Sequence, residues 1–239
     1  MIQRMLTSAI VAGGVAGLFA ALLHFAFLQD KILLAERYET GELLHVAAAS
    51  GQGHDLPAAV VTAPPGVENP AADPTRAALT VAFSALTYVA YALILVAGFA
   101  VAAQTGRRIT AREGALWGIA GFAAFQLAPA MGLPPELPGT LAADLASRQI
   151  WWWFTVASTA GGLALLGYGR GVVTFAPAVV LLSVPHVIGA PQLDGFFGTV
   201  PPELAAGFAA SVLGVGLATW TVMGALAGRL WSGPGTGAP

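Results

Sequence analysis

Twelve carboxylates and four histidines are the residues of this chain that could hold a cation, move a proton or attack a bond. Most of them gather in short polar stretches between long apolar runs. The first stretch, QDKILLAERYETGELLH, carries Asp30, Glu36 and Glu39, with Glu36 and Glu39 three apart on one helical face. The same spacing also describes a solvated helix end. His45 and His54 follow in HVAAASGQGHD, nine residues apart, which matches no rigid chelating motif, although a flexible loop can gather two imidazoles around a divalent ion.

Later stretches repeat a theme of proline followed by acid. GLPPELPG holds Glu136 behind Pro134 and Pro135, and TVPPELAAG holds Glu203 behind Pro201 and Pro202. A Pro-Pro pair cannot continue a helix, so the first is read as a stiff elbow that aims Glu136. In the second the prolines suit a helix entry, with Glu203 near the positive end of the dipole. Asp144 precedes LASRQIWWW, with Arg148 four residues on as an intrahelical partner. His186 follows Pro185, His24 lies in the last turn of the first apolar run, and Asp194 sits in the final polar loop. Stiff turns and helix starts account for several of these acids without a ligand. Their common location does not follow from turns alone, and carboxylate with imidazole, lacking thiolate, suits a borderline divalent ion such as cobalt(II) or nickel(II).

The elements that must position these groups are membrane helices. Of 239 residues, 56% are hydrophobic and 9% charged, which places the chain in the integral-membrane class. With ten basic and twelve acidic residues and no basic run beyond a pair, no nucleic-acid surface is expected. Cysteine is absent, which excludes disulfides, thiolate metal sites and cysteine nucleophiles. No G-x-S-x-G, H-E-x-x-H or phosphate-binding loop is present, so no enzymatic activity is expected. The sequence gives no sign of an organic cofactor.

Six segments approach the length of a crossing: 5–28, 79–103, 114–131, 150–168, 172–188 and 204–231. The fifth is short and holds Pro177 and Pro185, so five crossings are the alternative count. The first is read as a retained anchor, because HFAFLQ stands where a signal peptide would place small residues. Arg4, Arg107, Arg108, Arg112, Arg170 and Arg229 fall on one side and most acids on the other, so both termini are expected in the cytoplasm. The expectation is therefore a single all-α membrane domain over 1–239, three hairpins forming a six-helix bundle. Residues 29–78 form its long extracytoplasmic loop and 232–239 a flexible tail. Small-residue runs, AGGVAG, GIAGFAA, GG at 161–162 and GVGLA, are expected at helix seams.

Five blocks, RMLTSAIVAGGVAGLFAALLHFAFLQDKILLAERYETGE, GALWGIAGFAAFQLAPAMGLPPELPG, ADLASRQIWWW, PHVIGAPQ and VPPELAAGFAAS, together resemble the CbtA family of cobalt transporter subunits in its proteobacterial form. The resemblance spans nearly the whole chain. It implies a protein of the bacterial inner membrane that takes up cobalt for cobalamin synthesis, working with CbtB, a small single-span protein with a histidine-bearing end. The family is usually described with five crossings, and its first loop often carries a richer histidine run than His45 and His54 supply. It brings no established ligand set, so the expected metal-contacting residues remain Glu36, Glu39, His45, His54, Glu136, Asp144, His186 and Glu203, with His24, Asp30 and Asp194 in support. The alternative is a non-transporting scaffold, or a subunit holding haem between His24 and His186.

Overall fold

The structure is a computed structural model, and it describes residues 2–43, 73–195 and 198–232. His45 and His54 lie outside the described residues. The chain forms α1 (Ile2–Phe27), α2 (Gln29–Glu39), α3 (Pro74–Gln104), α4 (Ala111–Phe122), a π-helical turn (Ala123–Leu127), α5 (Ala128–Ala130), α6 (Leu145–Tyr168), α7 (Val172–Ile188) and α8 (Pro202–Trp231). Among the described residues no strand occurs, and one isolated bridge joins Thr140 to Gly198. By length and apolarity α1, α3, α6 and α8 can each cross a membrane.

Of the six expected segments, four correspond to these long helices. The third is a helix interrupted by the π turn, and the fifth, α7, has 17 residues. Pro177 and Pro185 lie inside α7 without breaking it. The interruption of the third segment has a local cause. Pro129 offers no N–H and its ring crowds the carbonyl one turn back, so one intrahelical bond is lost there and the turn before it is free to widen. The wider turn at Ala123–Leu127 absorbs that mismatch just before the proline.

Helix starts follow the chemistry of their first residues. Asp73 caps α3 by accepting from the Thr75 backbone N–H at 2.8 Å, with Pro74 at the first helical position. Thr110 and Glu113 form a capping box on α4. Pro202 and Glu203 open α8 as the sequence suggests. Gly171 and Gly189, at φ 74° and 84°, bound α7 with backbone that a side chain would strain.

On α1 the packing is inverted relative to a water-soluble bundle. In α1 the buried positions are Ala9, Ala12, Ala16 and Ala20, while Ile10, Val15, Leu18 and Leu22 face outward. Lipid is as apolar as leucine, so large aliphatic side chains gain nothing by turning inward and small ones let backbones meet. Gly13 and Gly17 lie against the α3 backbone at Val89 and Ala85. On the other side of the bundle Gly114 and Gly118 of α4 face Gly224 and Gly228 of α8. There a Cβ on Gly224 would come within 2.8 Å of the Gly118 Cα. Helix α8 also packs on α1, and α7 packs on α6. Gly162 at that last seam lies against Leu182 and Ala178. Gly214, expected at a seam, has nothing near it, whereas the Gly224–Gly228 pair was not singled out in the sequence.

Two ends of the bundle differ in charge. At one, α2 is pinned by a small apolar cluster of Leu28, Ala35, Leu137, Val200 and Phe208. Glu36, Glu136, Asp144 and Glu203 belong to this end, and we call it the acidic end. At the other, the Arg4 guanidinium lies 6.0 Å from the Trp231 ring and that of Arg107 lies 5.2 Å from Tyr168.

Gly224→Ala must push α4 and α8 apart and is expected to destabilise the protein by about 1–3 kcal/mol, the usual cost of overpacking. Gly214→Ala, which fills open space, should leave stability within experimental error. Thermal melts of the two variants in detergent check this contrast.

Candidate functional site

The Pro134–Pro135 elbow serves to place two neighbouring side chains. Leu137 is buried at 3% exposure in the cluster beneath α2, which fixes the loop to the bundle. Glu136 then turns the other way and accepts from Arg148 Nη2 at 2.7 Å. Arg148 was expected to serve Asp144. Asp144 instead caps α6, its Oδ2 accepting from both the Ser147 backbone N–H at 2.9 Å and the Ser147 hydroxyl at 3.0 Å. Glu136 and Arg148 line a cavity of about 610 Å³ together with Asp194, Gln192 and Thr140. Gln192 closes one side by donating to the Gly132 carbonyl at 2.8 Å, and the Thr140 hydroxyl is buried there without a partner.

A second polar region lies where α1 ends and α3 begins. Glu36 and Arg76 form a two-pronged ion pair, Nη1 to Oε2 being 3.0 Å, that joins α2 to α3. Arg37 pairs with Glu42 at 3.1 Å, so it is not the partner of Glu36. Arg76, Asp73 and half-buried His24 stand at a groove of about 710 Å³ that continues along α3 past Thr80, Ser84 and Thr87 to Tyr88.

The remaining expected residues are dispersed. Glu39 is exposed, with its Cβ close to the Gly139 turn, and Asp30 and Glu203 are also exposed. His186 lies 6.3 Å from the Trp151 ring centre, whose indole N–H donates to the Pro185 carbonyl at 3.1 Å. His24 belongs to the α1–α3 pair and His186 to the α6–α7 pair, so the two histidines sit on different helix pairs. Among the described residues no three histidine or carboxylate side chains come together as a preformed metal site. The structure brings Glu136 to Asp194 in one cavity, and it links Glu36 through Arg76 to the groove beside His24.

One polar group sits deeper, and sequence reading restricted to ionisable residues passes over it. Gln126 projects from the π turn, and its Oε1 is buried with no hydrogen-bond partner, against Gly216 of α8. The Tyr88 hydroxyl lies beside Gln126 and the fully buried Thr219. Tyr91, Phe125 and Trp220 wall this place, Tyr91 and Trp220 with ring centres 4.7 Å apart. The signal was present: Thr80, Ser84, Thr87, Tyr88 and Tyr91 recur at three- and four-residue spacing through an otherwise apolar helix.

With the geometry described, the comparisons can be read against it. Residues 2–232 match the family model of CbtA, the probable cobalt transporter subunit. The chain belongs to the CbtA family. No curated protein and no solved structure matches it at a significant level. The description of the family is that of a transporter subunit, which fits a chain with four crossing-length apolar helices.

Donation from the Ser147 backbone, and then from its hydroxyl, holds the Asp144 carboxyl below the ordinary aspartate range. The capped form is therefore fully favoured above the unfolded-state value and is lost as pH falls through the lower folded-state value. Asp144→Asn keeps an acceptor that does not titrate and should flatten the acid limb of Tm against pH. Asp144→Ala should flatten it too and also lower Tm at neutral pH. Melts of the three proteins across the acid range distinguish these outcomes.

Proposed function

We propose that this chain is the permease subunit through which cobalt(II) crosses the bacterial cytoplasmic membrane, entering at the acidic end and serving cobalamin synthesis. The observation that carries the reading is the family match over residues 2–232, set beside the segregation of charge. Arg4, Arg107, Arg108, Arg170 and Arg229 lie toward one end, whereas the polar cavities with Glu136, Asp194, Asp73 and His24 open at the other. Positive residues favour the cytoplasmic side, so the cavities face outward in this reading.

Six crossings are part of the proposal. The stretch Ala111–Ala130 is about 30 Å long at helical rise and α7 about 26 Å, both adequate for a thin or locally adapted bilayer. The long loop with His45 and His54, and a small single-span CbtB-like partner, would deliver the ion to these cavities. Nickel(II), with similar ligand preferences, is the expected competitor. Glu36 and Glu136 act here by keeping Arg76 and Arg148 neutralised, so that a cation meets no net positive mouth.

Radioactive cobalt uptake tests this in cells lacking other cobalt importers, with and without the small partner. Saturable uptake that nickel inhibits is expected, and no uptake in either condition overturns the reading. The double variant Glu36→Gln with Glu136→Gln leaves two unpaired arginines at the mouth. It should lower uptake about tenfold at limiting cobalt, the scale on which local charge changes ion encounter, and much less at saturation.

A further inference from the structure

The groove along α3, walled by Leu79 and Phe83 as well as by its polar residues, ends at Tyr88, whose hydroxyl lies beside Gln126 and Thr219. Tyr88 is 14 residues into a 31-residue helix, which puts it about 21 Å from Pro74, near mid-depth. Gln126 lies about 22 Å into the stretch that begins at Ala111. Thr219 is likewise close to the middle of the 30-residue α8. Three different helical stretches therefore bring an amide oxygen, a phenol and an alcohol to one place at one depth.

Each of these groups is costly there. Thr219 is fully buried and its hydroxyl donates to the Val215 carbonyl at 2.8 Å, which leaves its lone pairs free to accept. Gln126 shares a side-chain hydrogen bond with Tyr88, yet its Oε1, which lies against Gly216, has no partner of its own, although an unpaired buried amide oxygen costs about 1–3 kcal/mol. The helix is also irregular at this point, and single π turns inside helices recur at functional sites. A structural reason for the π turn exists in Pro129, but none exists for leaving the Gln126 carbonyl unsatisfied against Gly216.

Resting on the cobalt-permease reading, we propose that Gln126, Tyr88 and Thr219 form a mid-membrane oxygen site for a partly hydrated divalent cation, reached through a water-filled groove along α3 past His24, Ser84 and Thr87. The groove begins beside Arg76, whose charge is neutralised by Glu36. His24 offers one imidazole on the way. Neutral oxygen ligands suit a site of passage, because an ion must bind well enough to enter and weakly enough to leave.

The absence of cysteine makes the test direct, since every introduced thiol is unique. Single variants Ser84→Cys, Thr87→Cys and Leu86→Cys are expressed in intact cells with any small partner present, and treated with a charged, membrane-impermeant thiol reagent. Leu86 is 65% exposed on the same helix and serves as the lipid-facing control. Ser84→Cys and Thr87→Cys should be labelled and Leu86→Cys should not, and cobalt should slow the labelling of the first two. Adding Gln126→Leu to Ser84→Cys should raise the cobalt concentration needed for protection about tenfold, equal to about 1.4 kcal/mol.

Labelling only by a lipid-soluble maleimide would place this face against lipid or a partner helix and overturn the proposal. Labelling that cobalt does not slow, or protection that Gln126→Leu leaves unchanged, would equally remove the cation from this site. The result is separable from the permease reading: cobalt uptake by the parent chain with no labelling keeps the permease and rejects the groove. Cobalt-protected labelling without net uptake keeps the site and rejects the permease.

Discussion

The architecture depends on backbone meeting backbone between α4 and α8. Gly114 and Gly118 on one helix and Gly224 and Gly228 on the other leave no side chain between the two. Close approach of this kind lets dispersion, rather than exclusion of water, hold helices together in lipid. Its consequence extends beyond the seam. With the first two turns of α4 fixed on α8, the chain beyond Phe122 must reconcile that register with Pro129, and the π turn at Ala123–Leu127 is where it does so. Gln126 faces Gly216 because the seam below it holds α4 this close, and Gly216 has no side chain to block the amide. The same small residues that join the helices thus make room for a polar group at mid-depth.

At the acidic end the constraints are of another kind. Water is available there, so ion pairs and caps replace bare packing. Glu136 with Arg148 and Glu36 with Arg76 are each partly exposed, and pairs of this sort contribute little to stability individually. Their effect is on placement. Arg76 joins α2 to the start of α3 across a long intervening segment, and Arg148 joins the Pro-Pro elbow to α6. Apolar anchoring is done by Leu137 and its neighbours beneath α2. The elbow is therefore a device with two outputs, one buried leucine and one paired carboxylate, set by rigid backbone between them.

What could be read from the sequence divides along the distance over which residues interact. Apolar runs, the helix start at Pro202 and Glu203 and the glycine seams at Gly13–Gly17 and Gly118 are local patterns, and the structure shows each as a local feature. Arg148 was assigned to Asp144 because four residues on a helix make natural partners. In the structure Asp144 turns back to cap α6 through Ser147, and the elbow delivers Glu136 to within 2.7 Å of Arg148. The pair of Glu36 with Arg76, forty residues apart, has no local signature. Gln126 was missed for a different reason. An amide carries no charge, so a search for ionisable groups in lipid passes over it, although an unpaired carbonyl is expensive there as well.

The dispersal of carboxylates and histidines among the described residues then acquires a physical sense. Three charged or imidazole ligands converging on one point would hold a divalent transition ion tightly, and a tight site retains its ion. A carboxylate at mid-membrane would also have to be neutralised whenever the site stood empty, by a proton or a nearby cation. Among the described residues the acids lie outside the crossing helices or in their first turn, where an unoccupied carboxylate is solvated, capping or paired with arginine. The interior is left with amide and hydroxyl oxygens, whose desolvation is a cost of a few kcal/mol each rather than the far larger cost of a bare charge. In the proposed permease, charge at the rim and neutral dipoles at the centre are thus complementary parts of one arrangement, the first to concentrate cations and the second to let them pass.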